Sequence, residues 1–185
     1  YFKVHTDQGN TFIATYGNNI PENETFLYFS SHFRERQLPV PEIYCLNDDK
    51  TIYLQQDFGN TSVLNQLEKE GLTDHVYRLF SKSLTQLATL QVKGHEGLDY
   101  TRCLTNQEFG KQAIMADLLY FKYYFLDALR KPYDKQKLID DFEALSTYLT
   151  RTEYKYFMFR DFQSRNILVS ESDEVFFIDY QGGMK

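Results

Sequence analysis

The chain has 185 residues, of which 42% are hydrophobic and 25% charged, with only 9 glycines and 4 prolines, so a disordered or low-complexity chain is excluded. That length allows one domain with a sizeable core or two small lobes, and a formal charge of −6 argues against broad binding to nucleic acid or anionic membranes. No apolar run approaches the roughly 20 residues of a membrane span, no signal peptide is visible, and Cys45 and Cys103 have neither metal nor redox spacing, so a cytoplasmic protein without membrane or nucleic-acid partners is expected.

Residues 1–16 read as two alternating segments around Asp7-Gln8-Gly9-Asn10, which predicts a hairpin. Pro21 suits a first helical position, with Glu22 and Glu24 in the first turn. Phe26, Phe29 and Phe33 then fall on one helical face, and the helix should end near Gln37, before Pro39 and Pro41. Ile43–Leu46 and Thr51–Gln56 predict a second hairpin.

The next part reads as mainly helical. A short helix over Thr61–Glu70 is expected with Asn60 as its cap. Thr73 can cap a second, with Val76, Leu79, Phe80, Leu84, Leu87 and Leu90 inward. Asn106 can cap a long third helix through Arg130; its stretch LLYFKYYFL is apolar nearly all round and predicts a central buried helix. The aromatic stripe 120–125 fits a sugar platform or, in preference, core packing. Asp134 opens a fourth helix with Leu138, Phe142, Leu145 and Leu149 inward. The histidines, at 5, 32, 75 and 95, have no metal spacing and read as surface residues.

The densest chemistry lies in FRDFQSRNILVSESDEVFFIDY, residues 159–180. Phe157–Arg160 reads as a short buried strand and Asp161–Arg165 as a polar loop. Ile167–Val169 and Val175–Ile178 are apolar runs around the turn Ser170–Glu174. Asn166 therefore opens a hairpin, Asp179 closes it, and both are expected beside Asp161. Phosphoryl transfer needs a carboxylate near the acceptor hydroxyl and oxygen ligands for the magnesium that bridges the phosphates. Asp161, Asn166 and Asp179 supply those groups. Arg165 suits either a phosphate or a surface carboxylate.

FRDFQSRNIL resembles the catalytic loop of the protein-kinase-like fold, H-x-D-x-x-x-x-N. The SRN ending and IDYQGG are more similar to the aminoglycoside phosphotransferase (APH)/choline kinase-like branch, and within it to bacterial cell-wall amino-sugar kinases. The chain departs at Phe159, where histidine is usual, and at Tyr180-Gln181-Gly182, where Phe-Gly is usual. The resemblance implies an α+β, protein-kinase-like two-lobed fold. Residues 1–59 would be an antiparallel-sheet N-lobe with one helix, and 60–185 a partial, mainly helical C-lobe, truncated at both ends. Asp161 would be the catalytic base, with Asn166 and Asp179 holding Mg2+. The reaction would carry the γ-phosphate of ATP to a hydroxyl of a small molecule, a sugar or amino sugar.

Asp57-Phe58-Gly59 imitates the kinase metal motif, but it lies upstream of Asp161, whereas the metal aspartate follows the catalytic loop in the family. Gln55, Gln56, Asp57 and Phe58 are read instead as the hinge whose backbone meets adenine, with a plain strand end as the alternative. The family's strand lysine is missing: Thr15 or Tyr16 stands in its place. Lys3 is the candidate substitute, with Glu22 or Glu24 as partner and a solvated strand face as the alternative. These departures keep open a pseudokinase that binds nucleotide without turnover, and more weakly a protein kinase. Acceptor identity and oligomeric state stay open.

Overall fold

A computed structural model describes residues Tyr1–Lys185 as an α+β protein. Strands β1 (Phe2–His5), β2 (Thr11–Tyr16), β3 (Ile43–Leu46) and β4 (Ile52–Gln56) form one antiparallel sheet in the order β1-β2-β4-β3. Helix α1 (Ile20–Glu35) connects β2 to β3. Helices α2 (Val63–Glu70), α3 (Asp74–His95), α4 (Lys111–Phe121) and α5 (Lys135–Leu149) follow, and the hairpin β5 (Ile167–Val169) and β6 (Val175–Phe177) comes last. No helix is long and apolar enough to cross a membrane.

Local chemistry sets the first elements. Thr6 closes the β1–β2 turn through Asn10, and Gly9 takes φ +81° there, where a side chain would be strained. Pro21 lies in the first turn of α1, where its missing N–H costs nothing. Phe26, Phe29 and Phe33 bury one face of α1, as their spacing predicts. They meet Phe157, Phe177 and Tyr180 in the core. Phe157 sits edge-on to Phe29 and Phe33, with centroids 5.4 and 5.0 Å away. Such pairs add to the gain from burial alone.

Several expectations need correction. Helix α2 is capped by Ser62, not Asn60; Ser62 and Asn65 form a reciprocal capping box. In α3, Thr73 caps as expected, but Leu84 is 60% exposed while Ser83 and Gly94 are buried. Ser83 satisfies its hydroxyl on the Leu79 carbonyl at 2.7 Å, so a small polar residue can occupy the packed stripe. A Cβ on Gly94 would lie 2.9 Å from Phe33, which explains why the stripe needs a glycine. His32 is buried, with Nε2 2.9 Å from the Gly94 carbonyl, and burial lowers its pKa.

The largest departure is the third predicted helix. It begins at Lys111 after Gly110 rather than at an Asn106 cap, and it passes into a π-helical segment at Lys122–Asp127. Only Ala113 and Ile114 of α4 are buried. Tyr120, Tyr123 and Tyr124 are exposed, so this is not a central buried helix. Its rings cover one another instead: Tyr120 stacks on Tyr124 at 4.3 Å and Phe121 on Phe125 at 5.2 Å. Helix α5 is capped by Asp134 as expected and buries Phe142, whereas Leu145 and Leu149 stay exposed. Segment 157–160 is no strand beyond one bridge, in which Met158 and Met184 exchange hydrogen bonds of 2.7 and 3.1 Å.

Candidate active site

The β5–β6 hairpin forms because two short apolar runs flank a turn in which Asp173 adopts φ +58°. Its open end carries Asn166 and Asp179. Asn166 is buried, and its Nδ2 donates to the Asp161 carbonyl and to Asp179 Oδ2, each at 3.0 Å. The Asn166 carbonyl accepts from the Ile178 N–H at 3.1 Å, which fixes the two hairpin arms at their base. One amide thus joins the loop carrying Asp161 to the strand end carrying Asp179.

Two non-glycine residues flank this junction in left-handed backbone: Arg160 at φ +72° and Asp179 at φ +67°. Such residues are uncommon, and surrounding contacts must hold them. Arg160 grips Asp117 through both guanidinium nitrogens, at 2.6 and 3.0 Å, and lies over the Phe109 ring. That grip aims the following residue, Asp161, whose side chain is exposed. Gly182 faces it, with a Cβ position 3.5 Å from Asp161 Oδ2. Phe159 is buried against Phe162, Phe177 and Tyr180, an apolar support beneath the loop. Arg165 is exposed and lies outside the cleft described next.

A second support comes from Gln181. Its Nε2 donates to Asp179 Oδ1 at 3.0 Å and to Glu22 Oε1 at 3.2 Å. Both oxygens of Asp179 therefore accept from an amide. Gln181 is a site residue that the motif spacing does not single out. The available signal was its nearness in sequence, two residues after Asp179; the left-handed backbone of Asp179 and the turn that begins at Gln181 bring the two side chains together. Glu22 belongs to this chain of contacts and not to Lys3. Lys3 Nζ lies 2.8 Å from Asp57 Oδ2, and Glu24 pairs with Lys50, so neither expected Lys3–glutamate pair forms.

Asn166 and Asp179 lie at one side of a cleft of about 640 Å³, a volume typical of small-molecule sites. The sheet contributes Ile13, Thr15, Tyr53 and Gln55. Leu168 and Ile178 come from the hairpin, and Glu22 and Phe26 from α1. Gln56, Asp57, Phe58 and Gly59 complete the wall. The Gln56 N–H is spent on the Glu42 carbonyl at 2.9 Å, whereas the N–H groups of Asp57 and Phe58 make no hydrogen bond within the chain. Phe58 stacks on Phe176 at 3.8 Å, tying this segment to β6. Burial would raise the Asp57 carboxyl, but hydrogen bonds from Lys3, the Gly59 N–H and Thr11 outweigh it and hold it below its ordinary range. The lining holds the carboxylates Glu22, Asp57 and Asp179 and no lysine or arginine.

No three of His, Cys, Asp and Glu gather as a metal cage. Magnesium in phosphate-transfer sites takes one or two protein oxygens and fills the rest with phosphate and water. Asp179 and the side-chain oxygen of Asn166 fit that smaller demand. The chain matches no protein-family model and no curated protein.

Proposed function

We propose that the protein is an ATP-dependent phosphotransferase with a protein-kinase-like two-lobed fold, acting on a hydroxyl of a sugar or amino sugar. The observation that carries the reading is the double hydrogen bond of Asn166 Nδ2, which joins Asp161 and Asp179 beside a ligand-sized cleft. The order of elements supports it too: a four-stranded sheet with one helix precedes the helical part and the hairpin.

On this reading the base lies between Ile13 above and Leu168 and Ile178 below, and the free N–H groups of Asp57 and Phe58 meet its edge. Asn166 and Asp179 hold the metal, whose part is to neutralise charge on the transferring phosphoryl group. Asp161 stands beyond them, orients the acceptor hydroxyl and takes its proton. Arg165, exposed on the same loop, would meet an incoming acceptor or phosphate or else pair with a surface carboxylate.

The test is phosphoryl transfer from ATP across a panel of sugars, amino sugars and aminoglycosides. Asp161→Asn should lower turnover of the best acceptor by about 10²- to 10⁴-fold. Full activity in that variant would remove Asp161 from the chemistry. A second reading, a nucleotide-binding regulator without turnover, is favoured by the absence of lysine and arginine from the cleft lining. Magnesium-dependent stabilisation by ATP with no product from any acceptor would select it.

A further inference from the structure

Of the buried side-chain nitrogen and oxygen atoms, only Gln55 Oε1 lacks a hydrogen-bond partner. Gln55 is 7% exposed and lines the cleft. Buried polar atoms are nearly always satisfied, so an orphan acceptor at a ligand site points to a donor that arrives with the ligand. The sheet register explains its direction. Ile13 pairs with Gln55 and Thr15 with Tyr53, and all four line the cleft. Gln55 Nε2 donates to Thr15 Oγ1 at 3.2 Å. With one N–H engaged on Thr15 and its oxygen unpartnered, the amide has an acceptor free to meet a donor on a ligand. A small turn about the soft terminal torsion of the side chain presents that oxygen to a bound ring.

The next groups along the wall have the opposite polarity. Asp57 and Phe58 follow with free N–H donors. The wall therefore reads acceptor, then donor. The edge of a 6-aminopurine reads donor at the exocyclic amine and acceptor at the neighbouring ring nitrogen. A 6-oxopurine presents the reverse, an acceptor beside a ring N–H.

We propose that Gln55 sets base specificity: its Oε1 accepts a hydrogen bond from the 6-amino group of the bound purine and admits adenine in preference to guanine or hypoxanthine. The proposal rests on the phosphotransferase reading for the presence of a nucleotide. It adds a side-chain role to a residue otherwise placed there only by its backbone. A 6-oxo group would bring two acceptors together while Thr15 keeps the amide nitrogen. Sites that hydrogen-bond a ligand group reject analogues lacking it far more strongly than apolar pockets do.

The experiment is calorimetric titration of the chain, with magnesium, against non-hydrolysable analogues of ATP, GTP and ITP. The ATP analogue should bind roughly tenfold tighter than the other two, as expected for one hydrogen bond to a buried partner. Gln55→Met keeps the volume and removes both polar atoms; it should cut the preference for the ATP analogue severalfold, leaving only the part that the Asp57 and Phe58 N–H groups supply. A thermal melt shows whether the variant folds, and the wild-type comparison needs no variant. Equal wild-type affinity for ATP and GTP analogues, or tighter binding of the 6-oxo pair, overturns the inference and leaves the phosphotransferase reading standing. A folded Gln55→Met protein with undiminished preference also overturns it. Failure of the folded wild type to bind any of the three overturns both.

Discussion

The hydroxyls of Ser30 and Tyr180, 150 residues apart, meet at 2.6 Å in the core. Ser30 gives its own proton to the Phe26 carbonyl at 2.7 Å, so Tyr180 is the donor between them. Burial pushes the Tyr180 phenol up and keeps that proton in place. The ring stacks on Phe26 at 5.2 Å. Helix α1 is thereby fastened to the residue that follows Asp179. Tyr180→Phe should cost about 1 kcal/mol, the net worth of one hydrogen bond. Tyr180→Ala should cost about 3–5 kcal/mol through the cavity it leaves. Urea unfolding of both variants checks the ranking. A Tyr180→Phe protein as stable as wild type would show the hydroxyl pair to be idle.

Asn166 can be tested apart from any reaction. Removing its amide leaves the Asp161 carbonyl and Asp179 Oδ2 without their donor. Asn166→Ala should lose about 1–3 kcal/mol of stability. Asn166→Asp should be no better, since it sets a second carboxylate against Asp179. On the proposed reading, both also lose the rise in melting temperature that magnesium and ATP give. Wild-type stability in Asn166→Ala would mean that the bridge contributes nothing.

His75 gives a pH dependence of known sign. Its Nδ1 lies 2.9 Å from Glu70 and its Nε2 3.1 Å from Asp173, in the β5–β6 turn. Both ring nitrogens can donate only in the imidazolium form. The hydrogen bond to Glu70, and then that to Asp173, raise the His75 pKa. A raised folded value means that the contribution is complete below the unfolded value of about 6.5 and fades as pH climbs through the folded one. Glu70 is held low chiefly by His75, so its share fades instead as pH falls below about 4.3. The clamp is strongest between those limits. Proton NMR should find His75 titrating above an ordinary histidine, and His75→Gln should flatten the melting-temperature profile above pH 6.5. An ordinary or lower midpoint would contradict the clamp.

Gly182 and Gly183 should respond differently to the same substitution. A Cβ on Gly183 would lie 2.2 Å from Phe157 Cζ and 3.0 Å from the Met158 carbonyl. Phe157 is fully buried and cannot retreat, so Gly183→Ala should cost about 1–3 kcal/mol or more. A Cβ on Gly182 meets only Asp161 Oδ2, at 3.5 Å. Gly182→Ala should fold normally and, on the proposed reading, impair turnover by narrowing the space before Asp161. Thermal melts beside an activity assay separate the two, and equal stability of both variants would refute the distinction.

Local patterns carried most of the fold. The alternation around Asp7–Asn10, the Phe26, Phe29 and Phe33 stripe and the apolar runs either side of Ser170–Glu174 each satisfy one element by themselves. Asn166 and Asp179 were legible because the hairpin between them fixes their meeting. Glu22 was legible as a helix-start carboxylate, but its contact with Gln181 spans 159 residues and follows only from how α1 packs. The exposed rings of α4 and of the π-helical segment after it depart from the expected burial for a related reason. Periodicity registers the apolar character of a residue and is silent about which surface, if any, covers it. Leu84, expected inward, is exposed while its neighbour Ser83 is buried, because packing follows shape and backbone approach as much as hydropathy.

Lys3 neutralises Asp57, which leaves Glu22 and Asp179 as carboxylates in the cleft lining with no lysine or arginine against them. On the proposed reading, a bare polyphosphate and this protein repel each other, and the divalent ion is the adhesive between them. Occupancy should then track free magnesium more closely than total nucleotide. Sodium chloride, which ordinarily loosens phosphate binding, should here ease the repulsion felt by metal-free nucleotide, since charges are screened over about 10 Å at 0.1 M.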